Sequence, residues 1–313
     1  MRIVPPGTGR ITLGLLIVIP MVMAYPWHAV WHRWALGITA VVVVVLLGWW
    51  RGLHLTTILG RRLGLTLRSG RGRDVPQVAE RSGTDARTTV VLRVVDCGAR
   101  EVPFDLLAGY LDRYGVRCES LRVTSRDTVA GRATWIAMTM SARANLSALQ
   151  ARSSAIPLRQ TAELAARRLA DELREYGWMV TTADLNIPDL LGPRATEGWR
   201  AVTDGPTGHV AAYGIDGPSI PEALTALWSR GSGELWTSIE LSRRGVAAAC
   251  AIRTPEPPEA APPVAGLLPR PGVQWRALCA LIPTSTRPLD ADVFKVDGQI
   301  AARWIPNGAV VGT

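Results

Sequence analysis

The chain has 313 residues, enough for one large domain or two small ones. Its formal net charge of +9 comes entirely from residues 1–73, which contain nine arginines and no acidic residue, so the remainder has 26 basic and 26 acidic residues. This neutral remainder argues against nucleic acid as the main partner. The localised charge indicates instead a segment beside anionic lipid headgroups.

Two apolar runs near the start of the chain dominate its organisation. Residues 11–27 and 34–50 contain no charged side chain, and only residues 28–33 separate them. Each run has 17 residues, close to the lower limit of about 17–25 residues for a helix that crosses a bilayer core. The sequence therefore predicts that residues 1–50 form an N-terminal segment and a two-helix transmembrane hairpin.

Two other interpretations of these runs are open. The first run has the apolar core of a signal peptide cleaved near Ala24, but Pro20 and the second apolar run argue against this. Both runs are also compatible with buried helices of a soluble protein, but residues 41–47 have no polar face. The transmembrane hairpin is therefore the preferred interpretation.

The distribution of arginine predicts the orientation of this hairpin. Arginines cluster before the first run and after the second, whereas the connection between the runs contains only Arg33. Because cytoplasmic flanks carry the excess of Arg and Lys, both termini are expected in the cytoplasm and the two spans in the inner (plasma) membrane. Tryptophans are expected at both interfaces. They are Trp27, Trp31 and Trp34 at the outer face and Trp49 and Trp50 at the inner face.

Residues 51–86 are predicted to form a basic juxtamembrane connector. Apolar residues recur at helical spacing within residues 51–67, between arginines. The predicted helix either continues the second span or lies along the inner leaflet, and it either holds the next domain near the lipid or docks a partner. The residues expected to contact membrane or partner are Arg51, Leu55, Ile58, Leu59, Arg61, Arg62 and Leu63.

Residues 87–185 are predicted to form a first cytoplasmic unit of βαββαβ order. Alternating or β-branched runs predict its strands, and apolar residues at helical spacing predict its helices, with Gly177 ending the second helix. This is the order of the split βαβ, or ferredoxin-like, arrangement. The predicted strands are 88–95, 119–125, 134–141 and 178–182, the helices 102–114 and 158–176, and the central turn 127–132.

Residues 186–313 are predicted to form a second unit that begins like the first. Its segment IPEALTALWSR is similar to VPFDLLAGYLDR of the first unit, which indicates an internal duplication with a period of about 115–118 residues. Ser219 and Glu222 have the spacing of a helix capping box. The predicted elements are strands 209–215, 234–241 and 245–253, helix 219–229, an extended, solvated Pro-rich linker 255–271 and a final strand 273–282.

Together these elements predict an α+β fold class. A two-helix transmembrane hairpin is followed by a cytoplasmic α/β sandwich-like domain, in which ferredoxin-like β-α-β-β units are duplicated. The sequence leaves open whether the two units share one sheet or stand side by side.

Motifs for catalysis or cofactor binding are scarce. The chain has no Gly-x4-Gly-Lys-Ser/Thr phosphate loop and no Gly-x-Ser-x-Gly elbow, and His209 is the only histidine beyond the membrane region and its connector. The cysteines form no CxxC pair and are expected to be small buried residues without disulfides or metal. They are Cys97, Cys118, Cys250 and Cys279. The sequence therefore predicts no enzymatic activity, no cofactor and no small-molecule substrate.

One pair of carboxylates supports an alternative function. Asp290 and Asp292 lie one residue apart, as in the Asp-x-Asp motif with which many glycosyltransferases hold Mn²⁺ or Mg²⁺ and a nucleotide sugar. The alternative is therefore a membrane-tethered glycosyltransferase-like enzyme. The motif is common by chance, so an exposed loop is the preferred interpretation.

The organisation of the chain resembles that of the EccE family of mycobacterial type VII (ESX) secretion systems. The resemblance includes the two N-terminal apolar runs, the Arg-rich connector and the segments GLLIVIPMVMAYPW, WWRG and LADELREYGW. It implies a non-catalytic structural subunit of the inner-membrane core complex, with EccB, the ATPase EccC and EccD as partners. The chain is short for the family, which favours the system linked to iron and zinc acquisition. The family offers no functional motif to carry over.

Overall fold

The computed structural model describes residues 8–23, 30–47, 49–50, 53–68, 86–97, 102–152, 157–230 and 233–295. The chain divides into two compact units, Met1–Arg71 and Gly72–Thr313. This division falls inside the predicted connector. The unit after it contains both of the cytoplasmic units that the sequence predicts.

In its described residues, the compact unit Met1–Arg71 consists of three helices and a very short pair of strands. Its elements are α1 (Thr8–Met23), α2 (Val30–Leu47), β1 (Trp49–Trp50), β2 (Leu53–His54) and α3 (Leu55–Arg68). Helix α1 packs against α2, and α2 contacts α3. Strands β1 and β2 pair antiparallel, with Trp50 opposite Leu53. Because this strand pair separates α2 from α3, α3 is a separate helix and does not continue α2.

The compact unit Gly72–Thr313, called the sheet unit below, has one antiparallel sheet of eleven strands in its described residues. The strands are β3 (Arg87–Asp96), β4 (Asp112–Arg113), β5 (Val116–Thr128), β6 (Gly131–Ser141), β7 (Met179–Thr181), β8 (Thr196–Glu197), β9 (Val202–Thr203), β10 (His209–Ile215), β11 (Leu235–Ser242), β12 (Gly245–Thr254) and β13 (Leu267–Pro269). The helices are α4 (Phe104–Gly109), α5 (Ala142–Gln150), α6 (Leu158–Glu175), α7 (Ile220–Ser229) and α8 (Gln274–Leu281). The main path has the order β7-β3-β6-β5-β11-β12-β10-β9-β8, and β4 and β13 pair with β5 and β10.

The two halves of this sheet have the same strand order. In the first half, β3 pairs with β6 and β6 with β5, while β7 lies beside β3. In the second half, β10 pairs with β12 and β12 with β11, while β13 lies beside β10. Strands β5 and β11 pair antiparallel at the centre and join the halves. The question left open by the sequence is thereby answered, because both halves belong to one sheet.

Each face of the sheet has its own hydrophobic core. On one face, α4, α6 and α7 cover a core that includes Leu107, Leu169 and Leu224. On the other face, α8 covers a smaller core in which Trp135 and Trp236 stack with their ring centroids 5.8 Å apart. Trp135 belongs to β6 and Trp236 to β11, so this stack also connects the two halves.

The predicted final strand 273–282 is wrong, because residues Gln274–Leu281 form helix α8. Ala277, Leu278 and Leu281 recur at helical spacing and are buried in the smaller core. A short apolar run fits a buried strand and a buried helix equally well by periodicity. Its tertiary environment decides in favour of the helix.

The Pro-rich stretch 255–271 is also not an entirely solvated linker. Within it, β13 pairs with β10, and Leu267 is buried. Gln274 closes the gap between β9 and β13 along β10: its Oε1 accepts a hydrogen bond from the Ala212 N–H at 2.7 Å, and its Nε2 donates to the Ala212 carbonyl at 3.4 Å. A side-chain amide thus takes the place of a strand backbone at this position.

Several smaller elements differ from their predictions. The helix predicted at 102–114 ends at Gly109, and a tight turn with positive φ at Tyr114 (56°) and Gly115 (70°) precedes β5. The central turn is shorter than predicted because pairing continues to Thr128 opposite Gly131. Helix α5 is an element that the prediction lacked, and Ser219 makes no side-chain capping hydrogen bond. All four cysteines are buried, as predicted.

Candidate membrane and partner-binding surface

The surface of α1 and α2 is strongly apolar. Both helices consist almost entirely of apolar residues, and they have few other described elements to pack against. The large exposed side chains are Leu13, Leu15, Leu16, Ile19, Val22 and Met23 in α1 and Trp34, Leu36, Ile38, Val41 and Val44 in α2. Contiguous apolar surface of this kind marks an interaction with lipid or protein.

None of the described helices is both long enough and apolar enough to cross a membrane.

Only some of the predicted interfacial tryptophans can be compared with the structure. Trp34 lies in α2 with 73% of its surface exposed. Trp31 lies in the same helix, and Trp49 and Trp50 form β1. Trp27 lies outside the described residues. The placement of these tryptophans at two membrane interfaces stays a prediction.

Helix α3 carries an exposed pair of leucines beside arginines. Leu59 and Leu63, one helical turn apart, are 65% and 60% exposed and therefore share one face. Arg62 is exposed, whereas Ile58 and Arg61 are half-buried. Leu55 begins the helix, and Arg51 lies outside the described residues. A face of leucine flanked by arginine is suited to a lipid interface or to a partner helix.

A buried ion pair joins the two halves at the centre of the sheet. Arg122 of β5 and Glu240 of β11 lie opposite each other, and their side chains are only 3% and 7% exposed. The Arg122 guanidinium donates to Glu240, to the Ala280 carbonyl at the end of α8 (2.6 Å) and to the Arg287 carbonyl beyond it. This one side chain therefore holds together both halves of the sheet and the helix on its second face.

A second ionic network lies at the N-terminal end of β11, around Glu234. Glu234 accepts hydrogen bonds from Arg126 (2.6 Å) and Arg253 (2.8 Å), and Arg253 also donates to Asp204 at 2.8 Å. Burial alone would raise the pKa of the Glu234 carboxyl, but the hydrogen bonds from Arg126 and Trp236 and the nearby arginine charges lower it below its ordinary value. Burial likewise opposes ionisation of Asp204, yet its bonds from Arg253, the Gly192 N–H and Thr207 lower its pKa.

The two aspartates of the alternative function lie in the loop after α8. Asp290 is half-buried and lines a cleft of about 360 Å³ together with Arg276 and Arg287, whereas Asp292 is exposed. Two arginines in the same cleft disfavour a divalent cation there. Among the described residues, no three His, Cys, Asp or Glu side chains are grouped so that they could hold a metal ion.

The central ion pair is the feature that sequence reasoning missed. A signal for it exists, because Arg122 and Glu240 each lie inside a predicted strand and are 118 residues apart, which is within the predicted period of the repeat. Opposite charges at matched positions of two repeats are expected where the repeats pair with each other.

The chain has clear relatives among proteins of known families. The family model described as "Putative type VII ESX secretion system translocon, EccE" matches residues 128–215. The ESX-3 secretion system protein EccE3 of Mycolicibacterium smegmatis (strain ATCC 700084 / mc(2)155) is 42% identical over 289 residues, which cover 90% of each chain. The protein of the same name from Mycobacterium tuberculosis is 45% identical over 305 residues in strain CDC 1551 / Oshkosh, covering 91% of this chain and 88% of the relative. The protein from strain ATCC 25618 / H37Rv gives the same values.

These similarities define the class of protein, which is that of components of type VII, or ESX, secretion systems. The chain belongs to the EccE family. The family expected from the resemblance of its segments is therefore confirmed. The stretch that matches the family model runs from the end of β5 to the end of β10 and so spans the connection between the two halves of the sheet.

Proposed function

We propose that this chain is a non-catalytic structural subunit of the inner-membrane core complex of an ESX secretion system of the ESX-3 type. The ESX-3 names of relatives that are 42–45% identical over about nine-tenths of the chain support this assignment. ESX-3 is also the system that the family resemblance connects with iron and zinc acquisition. EccB, the ATPase EccC and EccD are the proposed partners.

The proposed anchor is the N-terminal hairpin of residues 1–50. The observation that carries this proposal is the exposed apolar surface of α1 and α2, which water solvates poorly and which the acyl chains of a bilayer would cover. The arginines on both flanks of the apolar runs favour cytoplasmic termini. In this orientation the sheet unit lies in the cytoplasm, on the side where an ATPase partner hydrolyses ATP.

The proposed partner-binding element is α3 within the connector 51–86. Leu59 and Leu63 are exposed on one face of a basic helix, and an exposed leucine pair of this spacing is typical of a helix that docks in a groove. The polar side of α3 would face anionic headgroups while its leucines contact a neighbouring subunit.

Affinity purification of the tagged full chain from native membranes in a mild non-ionic detergent, followed by mass spectrometry, tests this function. We expect EccB, EccC and EccD to co-purify with the unchanged chain and to be reduced at least tenfold with Leu59→Glu/Leu63→Glu. Leu164→Glu is the control, because it places a negative charge on an exposed leucine of α6, away from α3; each single variant, Leu59→Glu or Leu63→Glu, adds the same charge as this control. A chain that purifies without an ATPase or a multi-span subunit would refute the proposal.

A further inference from the structure

A polar cleft lies at one end of the sheet, on the face opposite α6. It has a volume of about 440 Å³, which is within the range of small-ligand sites. Its floor is formed by side chains of β5, β6 and β11, including Ser120, Thr139 and Glu240, and one wall is formed by Thr286 and Pro288 of the loop after α8.

Four arginines line this cleft, and they come from separate parts of the sequence. Arg87 begins β3, Arg117 lies in β5, and Arg243 and Arg244 form the turn between β11 and β12. Antiparallel pairing brings these positions together, because Ser120 of β5 lies opposite Ser242 and the far end of β6 lies opposite Arg87.

The carboxylates of the cleft are already paired. Glu119 accepts two hydrogen bonds from Arg87, at 2.6 and 3.0 Å, and Glu240 is held by the buried Arg122. Because these two pairs are neutral, the positive charge of the cleft comes from Arg117, Arg243 and Arg244.

Those remaining arginines are incompletely neutralised. Arg117 and Arg243 share one carboxylate, Asp112, and the Arg117 contact is long at 3.7 Å. Arg244 is exposed and forms no ion pair within the described part of the chain. One carboxylate for three guanidinium groups leaves an excess of two positive charges at the mouth of the cleft.

We propose that this cleft binds a phosphate group. Guanidinium groups match the geometry of phosphate oxygens with two parallel N–H donors, which makes arginine the preferred residue for phosphate recognition. The Ser120 hydroxyl on the floor adds a further donor. The cleft is larger than a bare ion requires, so it also has room for the group that carries the phosphate. That group is either a small soluble phosphorylated molecule or the headgroup of an anionic phospholipid.

The test uses the full chain in a neutral non-ionic detergent at low ionic strength. One arm titrates inorganic phosphate by isothermal calorimetry. The other arm adds phosphatidylglycerol to the micelles, with phosphatidylcholine as the uncharged comparison, and follows the thermal unfolding midpoint. We expect saturable stabilisation or binding in at least one arm, weakened by about tenfold or more in Arg244→Gln because a hydrogen bond to a charged group is lost.

Two further variants make the result specific. Arg167→Gln removes the same charge from the exposed side of α6, on the opposite face of the sheet, and should leave binding unchanged. Arg244→Lys keeps the charge but not the two-donor geometry, so it should lie between the unchanged chain and Arg244→Gln. A response to phosphate identifies a soluble ligand, and a response to phosphatidylglycerol alone identifies the headgroup. Equal behaviour of Arg244→Gln and Arg167→Gln in both arms would overturn the proposal.

Discussion

Arg122 and Glu240 face each other from the two central strands of the sheet and are almost fully buried. Their side chains connect the first half of the sheet to the second, and Arg122 reaches further to the backbone carbonyls of Ala280 and Arg287. A charged pair in this position is costly to bury, but it fixes which strands meet and in which register.

Removing one partner of this pair should strongly destabilise the sheet unit, Gly72–Thr313. Arg122→Leu leaves Glu240 buried without its cation, and we expect the free energy of unfolding to fall by about 3–5 kcal/mol. The double variant Arg122→Leu/Glu240→Leu should recover most of this loss because no uncompensated charge remains. Urea unfolding of the full chain in non-ionic detergent, followed by tryptophan fluorescence, measures both values. A double variant no more stable than Arg122→Leu would contradict this account of the pair.

The network of Glu234 and Asp204 should make stability depend on acid pH. Both carboxyls have a lowered pKa in the folded chain, so each contributes stability that is fully present above the pKa of the unfolded chain, about 4.3 for Glu and 3.9 for Asp. This contribution is lost as the pH falls through the lower pKa of the folded chain.

Glu234→Gln should therefore flatten the loss of stability as the pH falls below about 5, where the carboxyls of the unfolded chain begin to take up protons. Glu163→Gln is the control, because Glu163 forms a surface ion pair with Arg159 on the exposed side of α6. The measurement is the urea midpoint of the full chain at each pH. An equally steep loss in the Glu234→Gln and Glu163→Gln variants would show that this network does not determine the acid response.

The Gln274 side chain should be required for the edge of the second half of the sheet. Gln274→Met keeps most of the volume but leaves the buried N–H of Ala212 without the acceptor that it has at 2.7 Å. An unsatisfied buried donor costs about 1–3 kcal/mol. Urea unfolding should show this loss, and amide hydrogen exchange should accelerate at Ala212 but not at Val123 in the centre of the sheet. Unchanged exchange at Ala212 would contradict the strand-like role of this amide.

The elements best predicted from the sequence are those with a strong local pattern of apolar residues. Strand β10 has the predicted bounds, and α6 begins at the predicted Leu158 and ends just before Gly177, whose φ of 81° suits glycine. Helix α8 and strand β13 were missed because their conformation depends on contacts with β10 and with the smaller core, which no local pattern contains.

The candidate site was predictable to a lesser degree. The helical spacing of Leu59 and Leu63 is visible in the sequence, and the structure places both leucines on an exposed face. The Arg-lined cleft was not visible, because Arg87, Arg117 and Arg244 meet only through the order of the strands. The internal duplication stays a prediction, with the matching strand order of the two halves in its favour.

We propose that the N-terminal helices anchor the chain in the membrane and leave the sheet unit in the cytoplasm. Labelling of intact cells with a membrane-impermeant maleimide tests this topology most directly. The four native cysteines are buried, and Val129, in the turn between β5 and β6, is 96% exposed, so Val129→Cys provides a single reactive thiol on the sheet unit. We predict that Val129→Cys is labelled only after the cells are permeabilised, whereas His28→Cys, in the predicted external connection, is labelled in intact cells. Labelling of Val129→Cys in intact cells would contradict the account.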